Sequence, residues 1–541
     1  MRCPHFVSLL APVAAAALAA APAFTQQAGV HRMYSPRLSS TTTYLVDQQG
    51  VEIHTWPSSF LAGVSVYMKD DGNLFRTIQT GYGGPGAGGG IQELAFDGTV
   101  VWDFRYDTGG VHAHHDIEPM PNGNVLVIAW EDRTAQEALD AGMDPRFVSG
   151  LIQPDHIIEV KPTGPTTGDI VWEWHVWDHL IQDYDDTKQN YGVVQDHPEL
   201  IDINYPPMVQ PQGELNHFNS VDYDEQRDLI VISSAFQNEI WIIDHSTTTA
   251  EAASHAGGAH GKGGDLLYRW GNPAAYRRGT PQDQVLFFQH SAKVVPERHP
   301  GAGNVTIFNN QALPTSEVLE IVLPINAQGR FFLLATGVYG PPGPIWRYQS
   351  PEFSSSLMSS AERLPNGNTL ICSSFESRIF EVSPAGQVVW EITPGGFGFG
   401  FAFHSTYVRR SIWSDKKTLS TSAGGTVQYD LVAGSPFEDD IYLLLGTVSG
   451  TSPGIPFGGK KIPLNPDGYL TYTLSVRGSP LFVAQGGVCD AVGSATTQLV
   501  IPPGLFVGLE GLEMHHAFVV IDPVTAFPTH VSFAESLVFT P

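Results

Sequence analysis

Gly98-Thr-Val-Val-Trp-Asp-Phe104 is a glycine turn, a short apolar strand and an aromatic stop, and the chain repeats that phrase along most of its length. It stands again as Gly50-Val-Glu-Ile-His-Thr-Trp56, Gly168-Asp-Ile-Val-Trp-Glu-Trp174, Gly264-Asp-Leu-Leu-Tyr-Arg-Trp270 and Gly386-Gln-Val-Val-Trp-Glu-Ile392. A degenerate copy is Gly343-Pro-Ile-Trp-Arg-Tyr348. Six copies over roughly 350 residues predict six strand-built units packed side by side around a channel, since none could bury its apolar face alone. The spacing is uneven, so the units carry insertions. The longest, Asp178 to Gln212, is rich in Asp, His, Tyr and Pro, and long loops on a rigid scaffold commonly hold function. Helical periodicity is almost absent; only Ala135 to Ala141 and Ala250 to Ala259 read as short helices. The expected fold is all-β: a six-bladed β-propeller over residues 26–415, then a small β-sandwich over residues 416–541. A plain array of β-sandwiches is the alternative.

Of 541 residues, 28 are Lys or Arg and 55 are Asp or Glu, a net charge of −27. That balance is poor for nucleic acid or anionic membranes, where a basic footprint is expected, and no nucleic-acid partner is expected. The N-terminus reads as an address. Arg2 precedes an Ala-rich apolar run, Leu9 to Ala23, and Ala21-Pro-Ala23 supplies the small-x-small cleavage pattern. Residues 1–25 are therefore expected to be a signal peptide and the mature protein secreted or periplasmic. No later run reaches about 18 apolar residues, so no integral membrane segment is expected after its removal. Cys3 would leave with the signal; Cys372 and Cys489, far apart, are expected to be free buried thiols. Beyond Lys416 the chain becomes short strands between Gly, Pro and Ser, Tyr469 to Leu474 among them. His515 and His516 there read as core or surface residues.

A second repeat carries the chemistry. His115-Asp-Ile-Glu-Pro-Met-Pro-Asn-Gly-Asn-Val-Leu-Val-Ile-Ala-Trp130 places a histidine ahead of a Gly-Asn turn and an apolar strand. The unit returns as His290-Ser-Ala-Lys-Val-Val with Gly303-Asn-Val-Thr-Ile-Phe-Asn-Asn310, and more loosely as His217-Phe-Asn-Ser-Val-Asp-Tyr-Asp. It returns without its histidine as Ser359-Ser-Ala-Glu-Arg-Leu-Pro-Asn-Gly-Asn368. If the leading strands line a channel, His115, His217 and His290 converge, with Asn219 on the face of His217. Converging imidazoles suit nucleophilic and acid–base catalysis, anion binding or a metal. Asp116, Glu118, Asp178 and Asp196 could assist a metal. No HExxH follows, and the only close pair is His112-Ala-His114-His115, so neither a metal nor another cofactor is assigned.

These residues carry a family resemblance. His114-His-Asp-Ile-Glu-Pro-Met-Pro-Asn-Gly-Asn124, Asn216-His-Phe-Asn-Ser-Val-Asp-Tyr223, Leu267-Tyr-Arg-Trp-Gly-Asn-Pro273 and Gln289-His290 resemble the secreted bacterial arylsulfotransferases, over about Val66 to Arg410. The resemblance implies a six-bladed propeller moving a sulfuryl group from an aryl sulfate ester to a phenolic acceptor. It also implies no nucleotide donor, and a covalent sulfohistidine held among channel histidines and an arginine. His217 and His290 match family positions for substrate binding and acid–base work, and these two with His115 as a third are the expected catalytic residues. Asn219, Arg269, Asn309 and Arg363 are the expected substrate-binding residues. Two positions depart from the family. Ser359 stands where a later blade should bring the nucleophilic histidine, and none follows until His404. Gln311-Ala-Leu-Pro314 stands where the family arginine is expected, leaving Arg269, Arg298 or Arg363 to supply that charge. The alternatives are a non-catalytic binding propeller for sulfated or aromatic ligands, and a metal-dependent enzyme on the same scaffold. The sequence sets no oligomeric state.

Overall fold

The computed structural model describes residues 31–541 except 37–39, 47–48, 70–72, 82–85, 87, 96–97, 149, 207–212, 298, 394–401, 409–410, 434–436, 452, 459, 476–478, 492, 523–524 and 533. The signal-peptide reading, Cys3 and Arg298 fall outside the described residues. The protein is all-β. Up to Val408 it forms six four-stranded antiparallel sheets, five of them built in chain order. Their first strands are Ala62–Met68, Val111–Pro119, Phe218–Asp224, His290–Val294 and Ser360–Arg363. The remaining sheet, counted first because it holds His31–Pro36 so that the five above are the second to sixth, joins the two ends of this region, pairing Ala402–Val408 with His31–Pro36 and continuing through Thr43–Val46 to Glu52–Trp56. The leading strands touch in a closed circuit, each against the next and Ala402–Val408 against Ala62–Met68. The closed circuit shelters the inner edges that an open array would leave exposed.

Each Gly-to-aromatic phrase is the outermost strand of one sheet: Glu52–Trp56, Val100–Arg105, Thr167–His175, Tyr268–Trp270, Trp346–Gln349 and Val388–Ile392. The tryptophans recur because their indoles staple neighbouring sheets. Each indole N–H donates to a backbone carbonyl of the following sheet: Trp56 to Ala95 at 3.1 Å, Trp102 to Thr167 at 3.0 Å, Trp174 to Gly264 at 2.7 Å, Trp270 to Pro341 at 2.8 Å and Trp346 to Pro384 at 2.9 Å. A buried indole needs such an acceptor. Trp102→Phe removes one staple and leaves the Thr167 carbonyl unmet, a cost of about 1–3 kcal/mol. Its melting temperature should drop by a few degrees, and an unchanged melting curve would show that the staple contributes nothing.

Between the sheets lie separate apolar seams. The largest gathers Leu126, Ile128, Trp174, Phe218, Ile230 and Trp241 from the third and fourth sheets. After Val408 two further sheets enclose one core, Val427, Tyr429, Leu431 and Leu499 facing Leu444, Phe518, Val520 and Leu537. Ile412–Ser414 pairs with Gly425–Val432 in this part. Tyr469 to Leu474, expected as a strand, is a helix, Gly468–Ser475. Asp467 caps it, its carboxylate accepting from Leu470 N at 2.7 Å, and the spaced pair Leu470 and Thr473 turns inward. His516 is buried between the Tyr429 and Tyr469 hydroxyls at 3.0 and 2.8 Å. Cys372 and Cys489 are free and buried.

Candidate active site

The leading strands bring three histidines to one place. The rings of His115 and His217 lie 4.7 Å apart, edge to face. His290 joins them through shared aromatics: Phe403 lies 5.5 Å from His290 and 6.2 Å from His115, and Phe288 lies 5.7 Å from His290 and 5.9 Å from His217. All three are buried, at 3%, 5% and 2% exposure.

The backbone is bent to place them. His115 and His217 sit at φ +47° and +57°, and Ser291 and Ser359 at +53° and +82°. For a residue other than glycine this conformation costs about 1–2 kcal/mol. The pairing register slips at the same level in four inner strands, between Ala62 and Val66, Ala113 and Ile117, Phe218 and Ser220, and His290 and Lys293. Such bulges turn side chains out of the ladder toward a site. Gly86 meets the His115 ring so closely that a Cβ there would lie 1.8 Å from Cε1, so only glycine fits.

Each histidine is held through Nδ1. His217 Nδ1 contacts the Glu214 carboxylate, which can only accept, so Nδ1 carries a hydrogen and, in the neutral ring, Nε2 the lone pair. His290 Nδ1 donates to Asn310 Oδ1 at 2.7 Å. The amide's orientation is fixed because Nδ2 donates to the Ser355 and Met358 carbonyls at 2.8 and 2.7 Å. His290 Nε2 is again the acceptor, and Met358 N approaches it at 3.3 Å. Burial pushes the His290 imidazole down to about 3, against the opposing Asn310 bond, so it is neutral across the physiological range. His115 is coupled to a proton relay: its Nδ1 lies 2.8 Å from His114 Nδ1, and His114 Nε2 lies 2.8 Å from Asp155 Oδ1. Burial drives the His114 imidazole well down and the Asp155 carboxyl well up, so both favour their uncharged forms.

Hydrogen bonds between neighbouring strands define the level each residue occupies. Val221 N donates to Asp116 Oδ2, Ala292 N to Ser220 Oγ, Ala361 N to Ser291 Oγ and Ser405 N to Ser360 Oγ. The same step at these four seams aligns His115, Asn219, His290, Ser359 and Phe403. Asn219, rather than His217, therefore shares the level of His115 and His290; His217 lies two residues earlier. Phe403 and Ser359 fill the two later positions. His404 is one level down, its Nδ1 donating to the Val66 carbonyl at 3.0 Å, and burial pushes it to about 4.

The expected substrate-binding residues divide. Asn219 is at the site, its Nδ2 held by the Gln289 carbonyl at 2.8 Å and its buried Oδ1 without a partner. Arg269 is not: it lies on an outermost strand, paired with Glu239 at 2.5 Å and donating to the Leu200 carbonyl at 2.9 Å. Arg363 is likewise used up, bound to Glu320 and to the Gly367 carbonyl. Asn309 spends its amide on Val285 O, Glu317 and Phe287 N; its neighbour Asn310 is the one that meets His290. Sequence reading also missed Glu214 and Asn216. The side-chain amide of Asn216, beside His217, is buried with neither N nor O partnered.

Below the histidines lies a charged floor. Lys293 Nζ donates to Tyr67 OH and the Val221 carbonyl, both at 2.9 Å. It also meets Glu118 at 3.2 Å, Asp222 at 3.3 Å and Asp116 at 3.7 Å. Asp116 and Glu118, which the sequence offered as metal helpers, are engaged here. Burial lifts Glu118 to about 8 and Glu362 to about 7, despite Lys293 pulling both down.

Residues 23–396 match the arylsulfotransferase (ASST) family model, and the chain belongs to that family. No curated protein sequence matches the chain. Among solved structures it is similar to a protein of unknown function from Bacteroides caccae (12% identity, TM-score 0.40, 70% of this chain and 99% of that one). It is also similar to a catalytically inactive virginiamycin B lyase from Staphylococcus aureus with quinupristin (9%, 0.33, 74% and 91%). A putative 6-phosphogluconolactonase from Bacteroides fragilis is a third (11%, 0.33, 72% and 100%). Among the described residues no helix is long and apolar enough to cross a membrane.

Proposed function

We propose that the protein is an exported aryl-sulfate sulfotransferase, with a six-bladed β-propeller over residues 26–415, a β-sandwich accessory unit over 416–541, and residues 1–25 removed on export. It moves a sulfuryl group from an aryl sulfate ester to a phenolic acceptor without a nucleotide donor. Family membership supports the reaction class. The observation that carries it to these residues is the meeting of His115, His217 and His290, with His217 and His290 each fixed through Nδ1.

His290 is the nucleophile in this reading, because it is neutral and its Nε2 holds a lone pair. Nε2 bonds to sulfur as the sulfur–oxygen bond to the aryl group breaks. Protonated His217, steadied by Glu214, gives its Nε2 proton to the departing phenolate. An acceptor phenol then enters, His217 takes its proton, the new oxygen–sulfur bond forms and the bond to Nε2 breaks. His115 and the Asn216 amide stabilise the sulfuryl oxygens in place of Arg269 and Arg363. Asn219 remains a polar anchor.

The test is turnover of para-nitrophenyl sulfate with phenol as acceptor, with and without chelator. Transfer that survives chelation, and an acid-labile sulfohistidine by mass spectrometry, are expected. Activity lost on chelation would favour a metal-dependent enzyme. Ser359 and Phe403, standing at the histidine level, favour the second reading of a binding propeller. Tight binding of the aryl sulfate with neither turnover nor sulfohistidine would establish it over the first.

A further inference from the structure

Away from the channel, at the outer seam of the third and fourth sheets, three donor groups from separate segments point at one spot. His179 ends the short helical turn Val176–His179 after the third sheet. His255 follows the helix Thr249–Ala252, and Asp265 opens the approach to Tyr268–Trp270. His179 Nδ1 and His255 Nδ1 lie 2.9 and 2.7 Å from the same oxygen, Asp265 Oδ1, and all three donor atoms fall within 4.8 Å of one another.

His179 is fully buried, and its Nε2 sits 2.8 Å from the Ala252 carbonyl, which can only accept, so Nε2 carries the hydrogen. Its Nδ1 is then the atom left facing Asp265 Oδ1, at 2.9 Å, and it meets that oxygen either through a second proton or through a cation that both atoms ligate. A metal-bound histidine has this same arrangement, one nitrogen on the ion and the other donating to a backbone carbonyl that sets the tautomer. The packing preserves it: a Cβ on Gly264 would lie 2.6 Å from His179 Nε2 and 1.9 Å from the Ala252 carbonyl.

We infer that His179, His255 and Asp265 form a zinc site. Two imidazoles and one carboxylate are a donor set that suits Zn2+. Bonds of about 2.0–2.2 Å place tetrahedral ligand atoms about 3.3 Å apart. The two short N–O contacts would open by roughly 0.5 Å, and His255 can move because its side chain is 62% exposed. The fourth position is left for water. His255 also lines a cleft of about 710 Å³ with Trp177, Asp178, Lys188, Tyr191 and His197, so that water would face solvent. The ion would tie the long insertion to the rim of the fourth sheet. None of this depends on sulfuryl transfer in the channel.

The test uses the untagged full chain, stripped with chelator, mixed with an equimolar zinc salt and desalted. Retention of about one zinc per chain is expected, with the melting temperature raised by several degrees. Cobalt in its place should give the visible absorption bands of a tetrahedral site. His255→Ala, at an exposed position, should fold normally, retain almost no zinc and show no thermal response; Asp265→Asn should weaken retention at least tenfold. Failure of the wild-type chain to retain zinc would mean that His179 and Asp265 are a plain imidazolium–carboxylate pair. Equal retention by His255→Ala would place any bound metal elsewhere. Either result overturns the site.

Discussion

His290→Ala should lose sulfuryl transfer by roughly 10⁴-fold or more in kcat, the scale seen when a nucleophile is removed. The alanine also leaves a cavity and frees Asn310, so His290→Gln is the companion variant: it fills the space and can still donate to Asn310 Oδ1, but has no nitrogen lone pair to attack sulfur. Both should be inactive, and neither should yield a labelled peptide when donor is added without acceptor. Residual activity in His290→Gln near the wild-type level would remove His290 from the nucleophile's role and shift attention to His115. Asn310→Ala should be milder, because it loosens the ring without deleting it.

Lys293→Met should produce the largest stability loss of any single change. Among the described residues Lys293 is the one cation meeting Asp116, Glu118 and Asp222. Removing one side of a buried ionic cluster costs about 3–5 kcal/mol, because the charges left behind are neither solvated nor paired. The loss should depend on pH. Glu118 and Glu362 titrate at about 8 and 7 in the folded chain, above the ordinary 4.5. A raised carboxyl holds its proton in the folded state while the unfolded state releases it, so its contribution is complete below about pH 4.5 and is lost as pH rises through 7 and 8. Without Lys293 those values rise further. The deficit against wild type should be greatest near pH 8, about 10 °C in melting temperature, and should shrink toward pH 5 as the carboxyls become neutral. Parallel melts at the two pH values decide it; an equal deficit at both would mean that Lys293 contributes packing and not charge.

The architecture was more legible than the site because the two rest on different kinds of pattern. Gly-to-Trp strands recur in sequence because each outermost strand meets the same neighbour in the same way, and counting them counted the sheets. His115 and His290 were legible for the same reason. Arg269 and Arg363 misled because a lone arginine in a motif does not reveal its partner, and theirs are Glu239 on the adjacent strand of the same sheet and Glu320 on the preceding sheet. Asn309 and Asn310 are adjacent but face apart: Asn309 ends its strand bonded to Val285 and Glu317, and Asn310, one residue beyond, meets His290. Phe403 was invisible because its alignment with His290 is set by hydrogen bonds across sheets rather than by any repeated word. Tyr469 to Leu474 alternated like a strand, but Asp467 and Gly468 begin a helix there.

The tryptophan staples make the fold optically self-reporting. Five indoles each donate to a carbonyl of the following sheet, and an indole's emission shifts with its hydrogen bonding and exposure. Ligand entry, metal loss or heating that loosened one seam would change the signal of one fluorophore while the other four stayed as they were. Phenylalanine replacements made one at a time would then assign each spectral component to its seam, and show in which order the ring comes apart.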